Sequence, residues 1–396
     1  MTITFPARLT IEESEKFLGT VAESTVVQDL TMPLGGEALV FGGIAAAVQA
    51  AMTWARLSES RQLNIRGKVE ELERLVDGNL SRPHKFCAAM MARTILDTDS
   101  KISLAPILYV EAERQIEQQG QSPYGQQRGG LCWFAFVDHS TKGFDRNFYI
   151  ENNGAQPEVR QLNQIRSVIR AMVEKSISVV GAKYKLSEVD LDHIGRLFYE
   201  LFLNTHEHGS RGKVKYDWLK PGVRVLYTNA VNIPALGGDA SRKAAPPIDF
   251  FLKDIEFRQD DRRRFIEISI VDSGLGFLGR WISDGGESLS TTKKSLADEY
   301  EIFKRCFTFR QTSSKSLTKG NGLPVVMDRL TQLKGFMKIR AGRLSLYRNF
   351  VSNPYIDGES CKFSDWLGKD LNIQPPSEMP PVAGVLVTIL LPLGAV

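Results

Sequence analysis

The chain is poor in cysteine and histidine: 396 residues hold four of the first and five of the second. Cys87, Cys132, Cys306 and Cys361 lie far apart, with no C-x-x-C pair and no histidine at a matching interval. This argues against a disulfide-stapled scaffold or a zinc ribbon, and free thiols in a reducing, cytoplasmic setting are the expectation. Long apolar runs are scarce too. The two longest, Gly42–Ala55 and Gly384–Val396, fall short of the roughly 20 residues a bilayer span needs, so no membrane insertion is expected. The opening MTITFPARLTIEES lacks a basic region followed by an apolar core, and no signal peptide is expected. Nor does one sign of charge dominate. Fifty Lys and Arg against 46 Asp and Glu leave a net +4, spread along the chain, and nucleic acid is not indicated. The densest basic run, Arg262–Arg264, follows Asp260 and Asp261 and precedes a strand pattern, as a solvated hairpin end would. No repeat or coiled-coil heptad occurs.

What is present is an alternation of strand and helix signals that splits the chain near residue 155. In the first part, 25–30 (TVVQDL) reads as a strand, Gly43–Leu57 as an alanine-rich buried helix and 62–66 as a second strand. Helices are expected at 69–76, 84–96 and 107–118, and a buried strand at 130–137. This β-α-β order, with an acidic residue ending the first strand and glycines before the helix, resembles a STAS domain. The resemblance implies a regulatory or partner-binding unit over 1–155. Where STAS antagonists carry a phosphorylated Ser or Thr, this chain has Phe41, Gly42 and Gly43.

The second part holds the chemistry. In LFYELFLNTHEHG at 197–209, Glu200 and Asn204 stand four residues apart in a helical segment opened by a capping-box pattern at 187–190 (SEVD). Their side chains therefore project from one face, with Leu197, Phe198, Leu201 and Phe202 as apolar cover. A carboxamide oxygen is a hard ligand for Mg²⁺, and a neighbouring carboxylate can take a proton from an attacking water or hydroxyl. The bland alternative is a solvated polar stripe. His206 and His208 are about 200° apart on a helix and cannot grip one ion; His208 is expected to end the helix, with Gly209 as its C-cap.

Two later motifs follow. A buried strand at 265–271 delivers Asp272 to its C-terminal end, and Gly274 and Gly276 come directly after. A carboxylate there can accept from an exocyclic amino group, and the glycines let the backbone approach a flat base; in isolation the same residues are a common turn. Gly320, Gly322 and Leu323 then open a helix whose unpaired N–H groups would suit phosphate, or would merely make a structural turn. Between these motifs, 278–319 is rich in Ser, Thr, Lys and Gly with one internal helix near 297–307, the composition of a mobile lid. Lys315 and Lys319 are its candidate phosphate cations. Strands are expected at 335–340, 343–348 and 384–392.

In order and character these segments resemble the GHKL superfamily of type II topoisomerase ATPase domains, mismatch-repair ATPases, heat-shock chaperones, sensor histidine kinases and anti-sigma-factor serine kinases. ELFLNTHEHG is similar to the N box, most of all to the anti-sigma kinase version; DSGLGF is similar to the G1 box, GNGL to the G2 box and 384–392 to the closing strand. The resemblance spans 157–396 and implies an α/β sandwich over 156–396: a mixed sheet with one helical layer, binding ATP and Mg²⁺. It further implies Glu200 as catalytic base, Asn204 on Mg²⁺, and Asp272, Gly274, Gly276, Lys315, Lys319, Gly320, Gly322 and Leu323 around the nucleotide. Two departures stand out. Val385 occupies the place of the family's usual Thr after the closing-strand glycine, with Thr388 expected on the opposite face of the sheet. A lysine such as topoisomerase and mismatch-repair members bring from a following domain is not expected here, so a partner or a lid lysine would have to supply that charge. Three functions fit: an ATPase switch acting on a protein partner or homodimer, a serine/threonine protein kinase, and a non-catalytic ATP-binding scaffold. Histidine-kinase chemistry is disfavoured, because no histidine sits in an H-box pattern.

Overall fold

A computed structural model describes residues 2–24, 29–35, 40–139, 144–150, 157–180, 186–214, 217–232, 245–256, 263–285, 294–308, 322–359 and 361–394. The fold is mixed α/β, with one parallel and one antiparallel main sheet.

The parallel sheet comes first. Strands β1 (Thr2–Thr4), β2 (Asp29–Thr31), β3 (Gln62–Ile65) and β4 (Thr94–Asp97) lie side by side in chain order, every neighbouring pair parallel. Parallel neighbours need crossover helices. These are α1 (Ile11–Glu23), α2 (Gly43–Leu57), and the pair α3 (Leu72–Leu80) and α4 (Pro83–Met91); α5 (Ala105–Gln121) follows β4. The expected helix at 84–96 thus stops at Met91, and β-branched Thr94 and Ile95 supply the fourth strand instead. A short 3₁₀ turn, Val69–Glu71, precedes α3 where the helix was expected to begin. Helix α2 is buried on almost every side, from Gly43 through Ala55, as a helix between two layers must be.

Among the described residues, the second sheet has eight strands. In chain order they are β5 (Gln126–Arg128), β6 (Leu131–Val137), β9 (Val223–Asn232), β10 (Arg264–Asp272), β11 (Phe336–Gly342), β12 (Leu344–Asn349), β13 (Ser364–Asp365) and β14 (Val382–Leu393). Between β6 and β9, the small pair β7 (Tyr149–Ile150) and β8 (Glu158–Val159) stands apart, ahead of helices α6 (Leu162–Val180) and α7 (Glu188–Asn204). Helices α8 (Pro246–Asp254), α9 (Gly276–Asp284), α10 (Leu296–Cys306) and α11 (Gly322–Gln332) complete the order.

Two expectations are corrected here. The sheet does not stop at the boundary placed at 155, because β5 and β6 extend it from within the first 155 residues. It is also antiparallel at every pairing rather than mixed, and helices cover both of its faces rather than one. Alternation along β6 shows how: Leu131, Trp133 and Ala135 join the core of α2 and the parallel strands, while Cys132, Phe134 and Phe136 join that of α6 and α7. The period of two that buries both faces of β6 also explains its unbroken apolar sequence.

Candidate functional site

Helix α7 is started by Ser187 and Asp190, whose side chains each accept the other's backbone N–H, at 3.0 and 3.3 Å. Leu191, Ile194, Leu197, Phe198, Leu201 and Phe202 are buried. Glu200 and Asn204 are left half-buried at the edge of that apolar face. The Glu200 carboxylate pairs with Arg196 one turn earlier, Oε1 lying 2.7 Å from the guanidinium. Burial raises the Glu200 pKa, Arg196 opposes the rise and Glu207 adds to it.

The first residue of α11 meets this pair. A β-carbon on Gly322 would stand 2.9 Å from Glu200 Oε2 and 3.9 Å from Asn204 Nδ2. A larger residue here would press on the end of the Glu200 side chain, which would have to move aside. Leu323, beside it, packs partly buried against the apolar core of α7.

At the other end of the site, Asp272 closes β10 and is 3% exposed. Its Oδ1 accepts the N–H of Gly274 at 2.9 Å and of Val385 at 3.3 Å. Burial pushes the carboxyl pKa up to about 6, against the pull of those two N–H groups. Gly384 donates its N–H to the Gly274 carbonyl at 2.8 Å, and its φ of +64° takes it out of the range of most residues. Gly276 opens α9. Val385, in the place of the expected Thr, thus contributes its backbone N–H to Asp272. Thr388 lies on the other face, fully buried, its hydroxyl accepting from Ser269 at 3.1 Å.

Helix α7 links the two ends. Beyond Asn204 the chain runs on as a π turn, Thr205–Gly209, so the expected helix end at His208 with a Gly209 cap is corrected. Ser210 closes the turn, donating its N–H to the Thr205 carbonyl and its hydroxyl to the His206 carbonyl. His206 faces the Tyr149 hydroxyl at 3.2 Å and Trp218 at a ring separation of 5.9 Å. Beneath the turn lies a group that sequence reasoning missed. Arg224 of β9, 1% exposed, donates to both Asp138 oxygens at 2.7 to 3.1 Å, to the Tyr149 hydroxyl at 2.8 Å and to Thr205 Oγ1 at 3.4 Å. Its only trace in the sequence is an arginine inside the otherwise apolar strand VRVLY.

Of the expected lid, 286–293 and 309–319 lie outside the described residues. Its first part is the helix α9, with Arg280 and Ile282 buried, and its expected internal helix is α10, which is anchored: the Glu299 carboxylate accepts from the Arg343 backbone N–H at 2.8 Å and its Nε at 2.9 Å. Phe303 and Phe307 of this segment pack on Phe277 and Phe363. Trp281, Ile282, Phe303 and Phe307 were the apolar positions that a count of Ser, Thr, Lys and Gly hid. Lys315, Lys319 and Gly320 lie outside the described residues.

The structure therefore brings Glu200, Asn204 and Gly322 together at one end, and Asp272, Gly274 and Val385 at the other, with Gly276 directly after them. No protein-family model, curated protein or solved structure matches the chain. Among the described residues, no helix is long and apolar enough to cross a membrane.

Proposed function

We propose that the chain binds ATP with Mg²⁺ in a GHKL-type site between α7, α11 and the ends of β10 and β14, and uses it as a nucleotide-driven switch toward a protein partner. The observation that carries this reading is the close approach of Gly322 to Glu200 and Asn204 by a segment more than a hundred residues away. Such an approach keeps a carboxylate, a carboxamide and a helix N-terminus together at one point, and those are the groups a triphosphate and its metal require.

The residues fit the ligand at both ends. Asp272 is buried, with its carboxylate oriented by backbone donors, as recognition of an exocyclic amino group needs. The Asn204 carboxamide would hold Mg²⁺, which when bound neutralises charge on the phosphates. Glu200 takes the proton from the attacking water or hydroxyl, its pKa raised by burial toward the value a base needs. Arg196 holds one carboxylate oxygen and leaves the other toward Gly322.

Incubation of the purified protein with γ-labelled ATP, alone and with candidate partners, tests the reading. Release of free phosphate supports the switch. Label on a protein would make the chain a serine/threonine kinase, and binding without either would make it a scaffold. Failure of ATP–Mg²⁺ to bind at all in calorimetry would discard the proposal.

A further inference from the structure

Helix α2 belongs to the parallel-sheet unit, yet one of its stripes is polar and buried. Gln49 is 1% exposed and Thr53 fully buried, an unusual use of two positions in an alanine-rich helix unless each has a partner. Both do, and the partners lie on β11 and on β14, the second of which carries part of the candidate site. Gln49 Nε2 donates to the Arg340 carbonyl at 3.0 Å and to the Ala383 carbonyl at 3.3 Å. Thr53 Oγ1 donates to the Gln49 carbonyl at 2.7 Å and accepts the Ala383 N–H at 3.1 Å. One turn on, the Arg56 guanidinium donates to the carbonyls of Pro221 and of Ser273 at 2.5 and 3.0 Å.

Ala383 precedes Gly384, and Ser273 follows Asp272. Along a single face, at intervals of three and four residues, α2 thus holds the backbone on both sides of the turn that carries the buried carboxylate. The start of the helix is tied down as well. The Gly42 N–H donates to Glu267 at 3.2 Å and the Ala45 N–H to the Tyr227 hydroxyl at 3.1 Å.

We infer that Gln49, Thr53 and Arg56 are positioning residues of the adenine end of the proposed ATP site, and that α2 is the path by which the parallel-sheet unit and the nucleotide influence each other. The inference rests on the ATP reading above. Its physical basis is the close packing of Gly384 on Asp272, tight enough that a β-carbon on Gly384 would come within 1.8 Å of the Asp272 carbonyl oxygen. A strand end that loses its anchor on α2 moves against Asp272 and turns the carboxylate away from the base. By linkage, whatever moves α2 changes nucleotide affinity, and nucleotide restrains α2 by the same factor.

The experiment is calorimetric ATP–Mg²⁺ binding by the full chain in wild type, Thr53→Val, Thr53→Ser and Arg56→Gln, with thermal unfolding of each in the absence of nucleotide. Thr53→Val keeps the shape and leaves the Ala383 N–H without its acceptor. ATP affinity of the folded protein is expected to fall on the order of tenfold, the scale of one orphaned buried donor, and Thr53→Ser to restore it. Arg56→Gln, half-buried and so less costly to the fold, is expected to weaken ATP in the same direction. Valine and glutamine variants that bind ATP like wild type, whatever their melting temperatures, overturn the inference, because the contacts are then structural only. If Asp272→Asn abolishes binding while those variants leave it intact, the site stands and this coupling falls; a wild type that binds no ATP removes both.

Discussion

The last residue of the π turn, Gly209, lies against the carboxyl group of Asp272, and a β-carbon on it would stand 2.5 Å from Asp272 Cγ. Real β-carbons do not approach a neighbour that closely, so the two segments can meet only through glycine. Gly209→Ala should therefore displace Asp272 or the turn, and ATP affinity should drop at least about tenfold, the effect of one lost or misdirected hydrogen bond to a buried charged group. Calorimetry checks it. A Gly209→Ala protein with unaltered affinity would mean that the contact between turn and carboxylate has no part in binding.

Asp272 also sets a pH dependence. Its pKa is raised by burial to about 6, and the ionised form is the one that accepts from an amino group. Nucleotide binding should be flat above pH 7 and weaken by about tenfold per pH unit below 6. The contribution of this group to the free protein has the other sign. Because the folded pKa lies above the unfolded value, its stabilising effect is full below about pH 4 and is lost as pH rises through 6. Comparing unfolding of wild type and Asp272→Asn between pH 4 and 8 reads this: the variant should gain on wild type as pH rises. A constant difference across that range would contradict the burial argument.

The Arg224–Asp138 pair gives a prediction about stability. Both side chains are 2% exposed or less, so Asp138→Ala would leave a buried guanidinium without its counter-charge. Truncating one partner of such a pair costs roughly 3–5 kcal/mol, whereas replacing both by apolar groups is often close to neutral. Denaturant unfolding should show Asp138→Ala strongly destabilised and the Asp138→Leu, Arg224→Met double variant much less so. Equal loss in both would mean that the pair is not isolated from water as its burial implies.

Much of the site was legible because its residues obey local rules. The capping box at Ser187 and Asp190, the helical spacing of Glu200 and Asn204, and the delivery of Asp272 by a buried strand are all set by neighbours in sequence, and each is found where expected. The same holds for α2, whose alanines mark a helix packed between layers. What could not be read depends on partners far along the chain. That β6 joins the larger sheet is decided by pairing with β9, nearly ninety residues later, and an apolar strand carries no mark of which sheet it enters. The roles of Gln49, Thr53 and Arg56 are equally invisible, since a polar residue within an apolar helix names no acceptor. Helix α9 was hidden for another reason: a window average over the supposed lid diluted Trp281 and Ile282 among Ser, Gly and Lys.

Glu200 offers the sharpest test of chemistry as distinct from binding. One of its oxygens is held by Arg196 at 2.7 Å and the other faces Gly322, while Asp272 lies beyond the π turn, against Gly209. Glu200→Gln keeps the shape and the hydrogen bond to Arg196 but cannot take a proton. ATP should bind it nearly as it binds wild type, and phosphate release or transfer should fall by about 10²–10⁴-fold, the usual range for a lost general base. Arg196→Ala should act differently. Removing the guanidinium takes away the influence that lowers the Glu200 pKa, so the acidic limb of the pH–rate profile should move to higher pH while the rate at its plateau changes less. The two variants together separate a base from a bystander: an unaltered rate in Glu200→Gln, or a pH profile that ignores Arg196, would place the proton acceptor on another residue.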